Sequence, residues 1–257
     1  DDMCWIEYGV DEVGDVLDES RWPLANPSID EGVADMNAIR TGIRAFKSDV
    51  LAAAQEYLGY WLPKVANALI SKKEWIACQI EPEESPKEGR IAYGVKFAPD
   101  GSEVALAAAI KPKSGITHVE LVCIKSMAKG TTWLADWLAE RPSRASCVAV
   151  DGKAGTGMLS EKLVDRVPNK YYRVMKTQDA ITASSMMLEA IQNNEITHIE
   201  SSALDESVLA ATKRKIGDSG GWGFGGDTSC AIEAAANALW AVTTTKRDPN
   251  RKQEASF

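Results

Sequence analysis

Two aspartates in this chain stand where regular elements end or begin. Asp151 closes the apolar run Cys147-Val148-Ala149-Val150 and precedes Gly152. Asp227 follows Trp222-Gly-Phe-Gly-Gly and opens the run SCAIEAAANALWAV. A carboxylate at the carboxyl end of a buried strand, before a glycine turn, lies where open α/β sheets place ligands. An aspartate after a strand is equally a turn residue, and one at the head of a helix is equally a cap. Taken together, the two read as two walls of one carboxylate cluster. Hard cations such as Mg²⁺ take oxygen ligands, often only one or two carboxylates. Two such ions, ~3.5–4 Å apart, stabilise the attacking and leaving oxygens of an in-line displacement.

Other residues offer less. The loop DGKAGTG lacks the spacing of a nucleotide-binding P-loop, because Lys153 comes before the later glycines. Lys153, Lys213, Arg214 and Lys215 remain candidate contacts to phosphate, or simply a solvated face. His118 and His198 lie far apart in strand-like segments, so both read as structural. The five cysteines (Cys4, Cys78, Cys123, Cys147, Cys230) form no CxxC pair, and with two histidines they exclude an ordinary zinc site. Trp133, Trp137 and Trp240 read as core, whereas Trp222 and Phe224 either pack under a sheet or edge a groove for nucleic acid.

The elements that must position these groups fall into two styles. The first 35 residues are acidic, with Arg21 the sole basic one, and begin with the strand-like MCWIEYGV. WPLANPSI, residues 22–29, reads as extended or turn-like. Helices are expected at about 31–47 and 48–61, and EPEESPKEGR, residues 81–90, reads as a linker. Strands are then expected at 91–97, 103–110 and 116–124, with Asp100-Gly101 as a hairpin turn. A helix at 131–140 and a strand at 146–150 come next. Residues 152–157 read as a glycine-rich turn, followed by a helix at 158–167, a strand at 171–176, a helix at 180–193 and a strand at 196–200. A helix at 205–215, a glycine-rich stretch at 217–226 and a final helix to about 243 complete the pattern. The tail KRDPNRKQEASF reads as disordered. The expected boundaries are 1–70, 71–245 and 246–257.

The chain has 257 residues, 45% hydrophobic and 26% charged, with a formal charge of -8. That is enough for one large core and argues against coating nucleic acid by bulk attraction, though not against a local basic groove. No apolar run is long enough to span a bilayer. The chain begins without methionine and reads as a fragment of something longer.

Three hairpin-linked strands followed by alternating helices and strands resemble the ribonuclease H-like fold: a mixed sheet, its first three strands antiparallel, flanked by helices and preceded by a helical linker. More specifically, the chain resembles the large terminase subunit of tailed bacteriophages. WPLANPSI and the two helices ending near Leu58-Gly59-Tyr60-Trp61 are similar to the region joining the packaging ATPase to its nuclease. YGVKFAPDGSEVALAAA resembles the first nuclease hairpin, and CVAVDGKAG the strand bearing a metal-binding aspartate, here Asp151. The run from His198 to Arg214 resembles the helix before the last catalytic segment. GGDTSCAIEAAANALWAV resembles the final helix, with Asp227 at a metal-binding position.

The resemblance implies an endonuclease domain that cuts concatemeric double-stranded DNA with Mg²⁺ or Mn²⁺, two ions or one. The full-length protein would translocate that DNA into a procapsid using ATP, in the host-cell cytoplasm, with a small terminase subunit and a portal as partners. It would be oligomeric in the motor, while the isolated domain could be a monomer. No Walker A sequence is present, so the motor core lies outside this chain. The family pattern places a further aspartate in the middle of the first strand, where this chain has Lys96. An ammonium cannot ligate a cation. Asp100 then becomes the candidate third ligand beside Asp151 and Asp227, and Lys96 either a fixed positive charge or a DNA contact. The alternative is a ribonuclease H-like module that binds DNA or packaging partners without cutting. A transposase or resolvase of the same fold is a third reading, against which WPLANPSI argues.

Overall fold

The computed structural model describes residues 8–46, 49–60, 69–217 and 220–249. The chain divides into two units, Asp1–Ala66 and Asn67–Phe257. In the first, Trp22–Ala25 forms a short helix α1, and Pro27–Ile29 a 3-10 turn. WPLANPSI is therefore helical rather than extended: its prolines sit in the first turns, where no N–H is needed. Helix α2 (Met36–Ala45) is capped by Asp35, and α3 (Val50–Tyr57) by Asp49. Their core gathers Val16, Trp22, Ile43, Ala53, Ala54 and Leu58, and the Trp22 indole donates to the Val16 carbonyl at 3.0 Å. Most of MCWIEYGV, and the tail from residue 250, lie outside the described residues.

The second unit opens with α4 (Lys72–Ala77), held by a Ser71–Glu74 capping box. Strands β1 (Arg90–Phe97), β2 (Glu103–Lys111) and β3 (Thr117–Ser126) form an antiparallel meander. After α5 (Thr132–Ala139), strand β4 (Cys147–Asp151) joins β1 in parallel. Helix α6 (Lys153–Leu163) leads to β5 (Tyr172–Val174), and α7 (Thr177–Gln192) to β6 (Ile196–Thr197). The six-stranded sheet has the order β5-β4-β1-β2-β3-β6. This is a mixed α/β, ribonuclease H-like sheet flanked by helices, as the element order suggests. Helix α8 (Ser202–Leu209), a two-stranded hairpin of β7 (Thr212–Ile216) and β8 (Gly221–Gly225), and helix α9 (Cys230–Thr244) complete the unit.

In the second unit, three segments differ from the sequence reading. Residues 153–157 are helix, not turn, since Gly155 lies where a Cβ would meet the Phe97 ring at 2.3 Å. Packing there overrides the poor helix propensity of glycine. The helix expected to 215 stops at Leu209, and residues 212–216 pair with the glycine-rich segment as a hairpin. Asp227 lies in the turn three residues before α9 and does not cap it; the cap position belongs to Ser229.

The two faces of the sheet are unlike. Tyr93, Val95, Phe97, Val104, Leu106, Val148 and Val150 face α5 and α6. Ala92, Ala105, Ala107, Ala109, Cys147 and Ala149 share the other core with α9, over which α7 and α8 pack. Strand side chains alternate between faces. Gly94 and Lys96 therefore share the face of Ala92, and Asp151 that of Cys147 and Ala149. Small residues let α9 approach the sheet closely, and the Asn237 amide donates to the Val95 carbonyl at 3.1 Å.

Candidate active site

Lys96 is the last residue of β1 on the α9 face, and Asp151 its direct neighbour at the end of β4. Helix α9 begins above them and places Glu233 in its first turn. The Lys96 ammonium donates to Asp151 Oδ2 at 2.5 Å and meets Glu233 Oε1 at 3.0 Å. The Lys96 and Glu233 side chains are 7% and 8% exposed, and Asp151 is 25% exposed. From β7, Arg214 Nη2 donates to the same Glu233 oxygen at 2.8 Å. Four charges thus balance: two cations, two carboxylates.

Burial alone would lower the Lys96 pKa. Glu233 and Asp151 outweigh it, so the net shift is upward and the amine stays charged. Burial also pushes Glu233 upward, against the pull of Lys96 and Arg214. With a cation at 2.8 Å and another at 3.0 Å, Glu233 is the anionic hub of the cluster. Gly152 brings β4 this close to β1. Its φ is +104°, and a Cβ there would stand 2.4 Å from the Phe97 carbonyl oxygen.

A pocket of about 540 Å³ adjoins Glu233, and its charged lining is Asp100, Glu103, Glu206, Arg214, Asp227 and Glu233. Asp227 is exposed at its rim. Asp100 accepts from the Ser102 N–H at 3.0 Å and hydroxyl at 2.7 Å, which holds its carboxyl below the usual range and fixes the β1–β2 turn. Asp100 and Asp227 thus line the pocket, while Asp151 and Lys96 do not; the Lys96 amine links Asp151 to Glu233. Lys96 is buried in ion pairs rather than presented to solvent. Lys153 is exposed at the start of α6. Lys213 and Lys215 are exposed on β7, Lys213 lying over the Trp222 ring at 4.9 Å. Phe224 is buried in the core.

Glu233 is the residue that sequence reasoning missed. It is the one charged residue in SCAIEAAANALWAV. An acid in the first turn of an otherwise buried helix requires a partner, which was the available signal.

The fit to a divalent ion can be tested on these contacts. Among the described residues, no three His, Cys, Asp or Glu side chains converge to hold a metal. The carboxylate oxygens that converge between β4 and α9 are taken by the Lys96 amine. As arranged, the residues do not fit a resident ion between Asp151 and Glu233.

Fold and site together define a ribonuclease H-like domain with an ion-paired carboxylate centre at the carboxyl end of its sheet. No family model and no curated protein matches the sequence. Among solved structures, the chain is similar to the HK97 bacteriophage large terminase at 12% identity and TM-score 0.40, over 90% of this chain and 56% of that one. It is similar to the large terminase nuclease of thermophilic phage G20c at 12% identity and TM-score 0.47, over 70% and 100%. It is also similar to the human cytomegalovirus terminase nuclease domain, soaked with Mn and inhibitor-bound, at 10% identity and TM-score 0.41, over 68% and 95%. The chain therefore spans just over half of the HK97 protein. No residue is matched through these likenesses. No helix among the described residues is long and apolar enough to cross a membrane.

Proposed function

We propose that this chain is the nuclease-type domain of a viral large terminase, preceded by the end of the motor domain and its linker. It acts on the phosphodiester backbone of double-stranded DNA during genome packaging. One observation carries the reading: the sheet order brings the ends of β1 and β4 and the head of α9 together, and each contributes a buried or half-buried charge to one cluster. Cutting concatemeric DNA with Mg²⁺ or Mn²⁺, beside a small terminase subunit and portal in the host cytoplasm, is the role the sequence resemblance implies. Asp151, Asp227 and Asp100 are the assigned acids, and Glu233 joins them. Because Lys96 occupies the carboxylates, metal-supported cutting by the natural chain is expected to be slow.

Supercoiled plasmid incubated with Mn²⁺ tests this. Slow nicking is expected, and Asp151→Ala should reduce it to the level of the EDTA control. Equal cutting by the alanine variant would place the reaction elsewhere. Lys96 also favours a second reading, DNA binding without cutting, which predicts salt-sensitive binding and no nicked product.

The β7 lysines are the proposed backbone contacts, with Arg214 committed to Glu233 and Lys153 flanking the site on α6. In the Lys213→Ala/Lys215→Ala variant, the slope of log affinity against log salt should fall by about 1 per lysine, nearly independently of DNA sequence. An unchanged slope in a filter-binding titration removes the hairpin from the interface.

A further inference from the structure

We propose that the Lys96 ammonium is a built-in cation: it replaces a divalent metal between Asp151 and Glu233 and completes the charge of the site without one. This rests on reading the β1–β4–α9 cluster as the site that faces DNA, and goes on to assign what neutralises it.

The geometry is that of a bridging cation. One amine reaches a carboxylate from the sheet at 2.5 Å and a carboxylate from the helix at 3.0 Å. These two elements would otherwise turn like charges towards each other. The stem runs within the sheet core and leaves the side chain 7% exposed, so the amine has no ready route to solvent. Arg214 supplies the second positive charge on Glu233. Between Asp151 and Glu233, two positive groups against two negative ones leave no net charge to draw a hard cation, whereas the other acids of the adjoining pocket lie outside this cluster. Ligand charge is what sets affinity for such ions. Removing the Lys96 charge leaves the cluster at minus one, and Lys96→Asp takes it to minus two, with Asp151, Glu233 and the new carboxylate as oxygen ligands. The ligand class so admitted is a hard divalent cation. In the natural chain, the same reasoning makes folding and DNA binding independent of such ions.

The test uses the full chain and does not read cleavage. Thermal unfolding and calorimetric titration with MnCl₂ are compared for the natural chain, Lys96→Ala, Lys96→Asp and Lys96→Asp/Glu233→Gln. The natural chain should unfold at the same temperature in EDTA and in millimolar Mn²⁺. Lys96→Asp should be stabilised by Mn²⁺ through mass action and bind it at least ~tenfold more tightly than the natural chain, following its added ligand charge. Lys96→Ala should lie between them, and the Glu233→Gln double variant should lose the gain. DNA affinity of the natural chain at matched ionic strength should be equal in EDTA and Mg²⁺. The proposal is overturned if the natural chain binds Mn²⁺ as tightly as Lys96→Asp, or if neither lysine variant gains an ion. Should Lys96→Asp not fold, Lys96→Ala decides by the same criterion. A chain that binds no DNA in either condition overturns the proposed function but leaves the metal comparison intact.

Discussion

Glu233→Leu is expected to destabilise the domain by about 3–5 kcal/mol, the usual result of removing one partner from a buried ion pair. The loss comes mainly from Lys96, whose amine would keep only the half-buried Asp151. Arg214 is 43% exposed and can turn to water, so its share is small. Glu233→Gln should cost less, because an amide oxygen can still accept from both cations. Lys96→Met/Glu233→Leu should recover part of the loss, since replacing both partners by apolar groups of similar size is often neutral, while Asp151 and Arg214, the more exposed members, are left to water. Urea unfolding of the single and double variants forms a cycle, with coupling expected between contacting groups. A cost below about 1 kcal/mol for Glu233→Leu would show that the cluster is not closed to water as described.

The cycle also carries a pH signature. The folded pKa of Lys96 lies above its ordinary 10.5. Its contribution to stability is therefore fully present below that value and lost as pH rises through the folded one. The double variant should lack this part of the alkaline decline.

Gly94→Val should be the most damaging single change in the sheet. A Cβ at Gly94 would stand 2.1 Å from the Ala234 carbonyl oxygen and 2.3 Å from the Ala238 nitrogen, both helix backbone atoms. Neither can rotate away, so α9 must shift as a body. The cost should reach or exceed the upper end of the ~1–3 kcal/mol usual for overpacking. The shift would also draw Glu233 away from Lys96, coupling packing to the site. Gly157→Ala is the matched control. Nothing lies within 4 Å of its Cβ, and it sits in α6. Alanine there should be neutral or stabilising by up to about 1 kcal/mol. Thermal melts that rank the two variants the other way would contradict the close β1–α9 contact.

The sheet was largely legible because its signals are local. Period-two apolar runs and the Asp100-Gly101 turn mark β1 and β2, and an apolar run ending in an acid marks β4. Where the reading failed in the second unit, glycine was the commonest cause. GWGFG reads as a loop by composition, yet it places three glycines on one face of β8 and Trp222 and Phe224 on the other. Gly223 leaves room for Ile216, whose side chain would lie 2.4 Å from a Cβ. DGKAGTG misled in the same way, because Gly155 serves Phe97 rather than a turn. These are tertiary demands that no local window contains. The site was half legible. Asp151 follows from strand position, and the oddity of Lys96 is visible at once. Its pairing with Glu233 needs the crossing of β1 by α9, a contact more than 130 residues apart along the chain (Cys230 Sγ to the Lys96 carbonyl, 3.2 Å).

The unequal faces of the sheet give its tolerance for change a direction. Opposite α5 and α6, branched side chains meet branched side chains, and Val, Ile and Leu can trade places while total volume is kept. Beneath α9 the lining is already at the smallest sizes available, so almost every possible exchange is an enlargement. Tolerated exchange is thereby expected on one side of the sheet, and the charged end of β1 rests on the other.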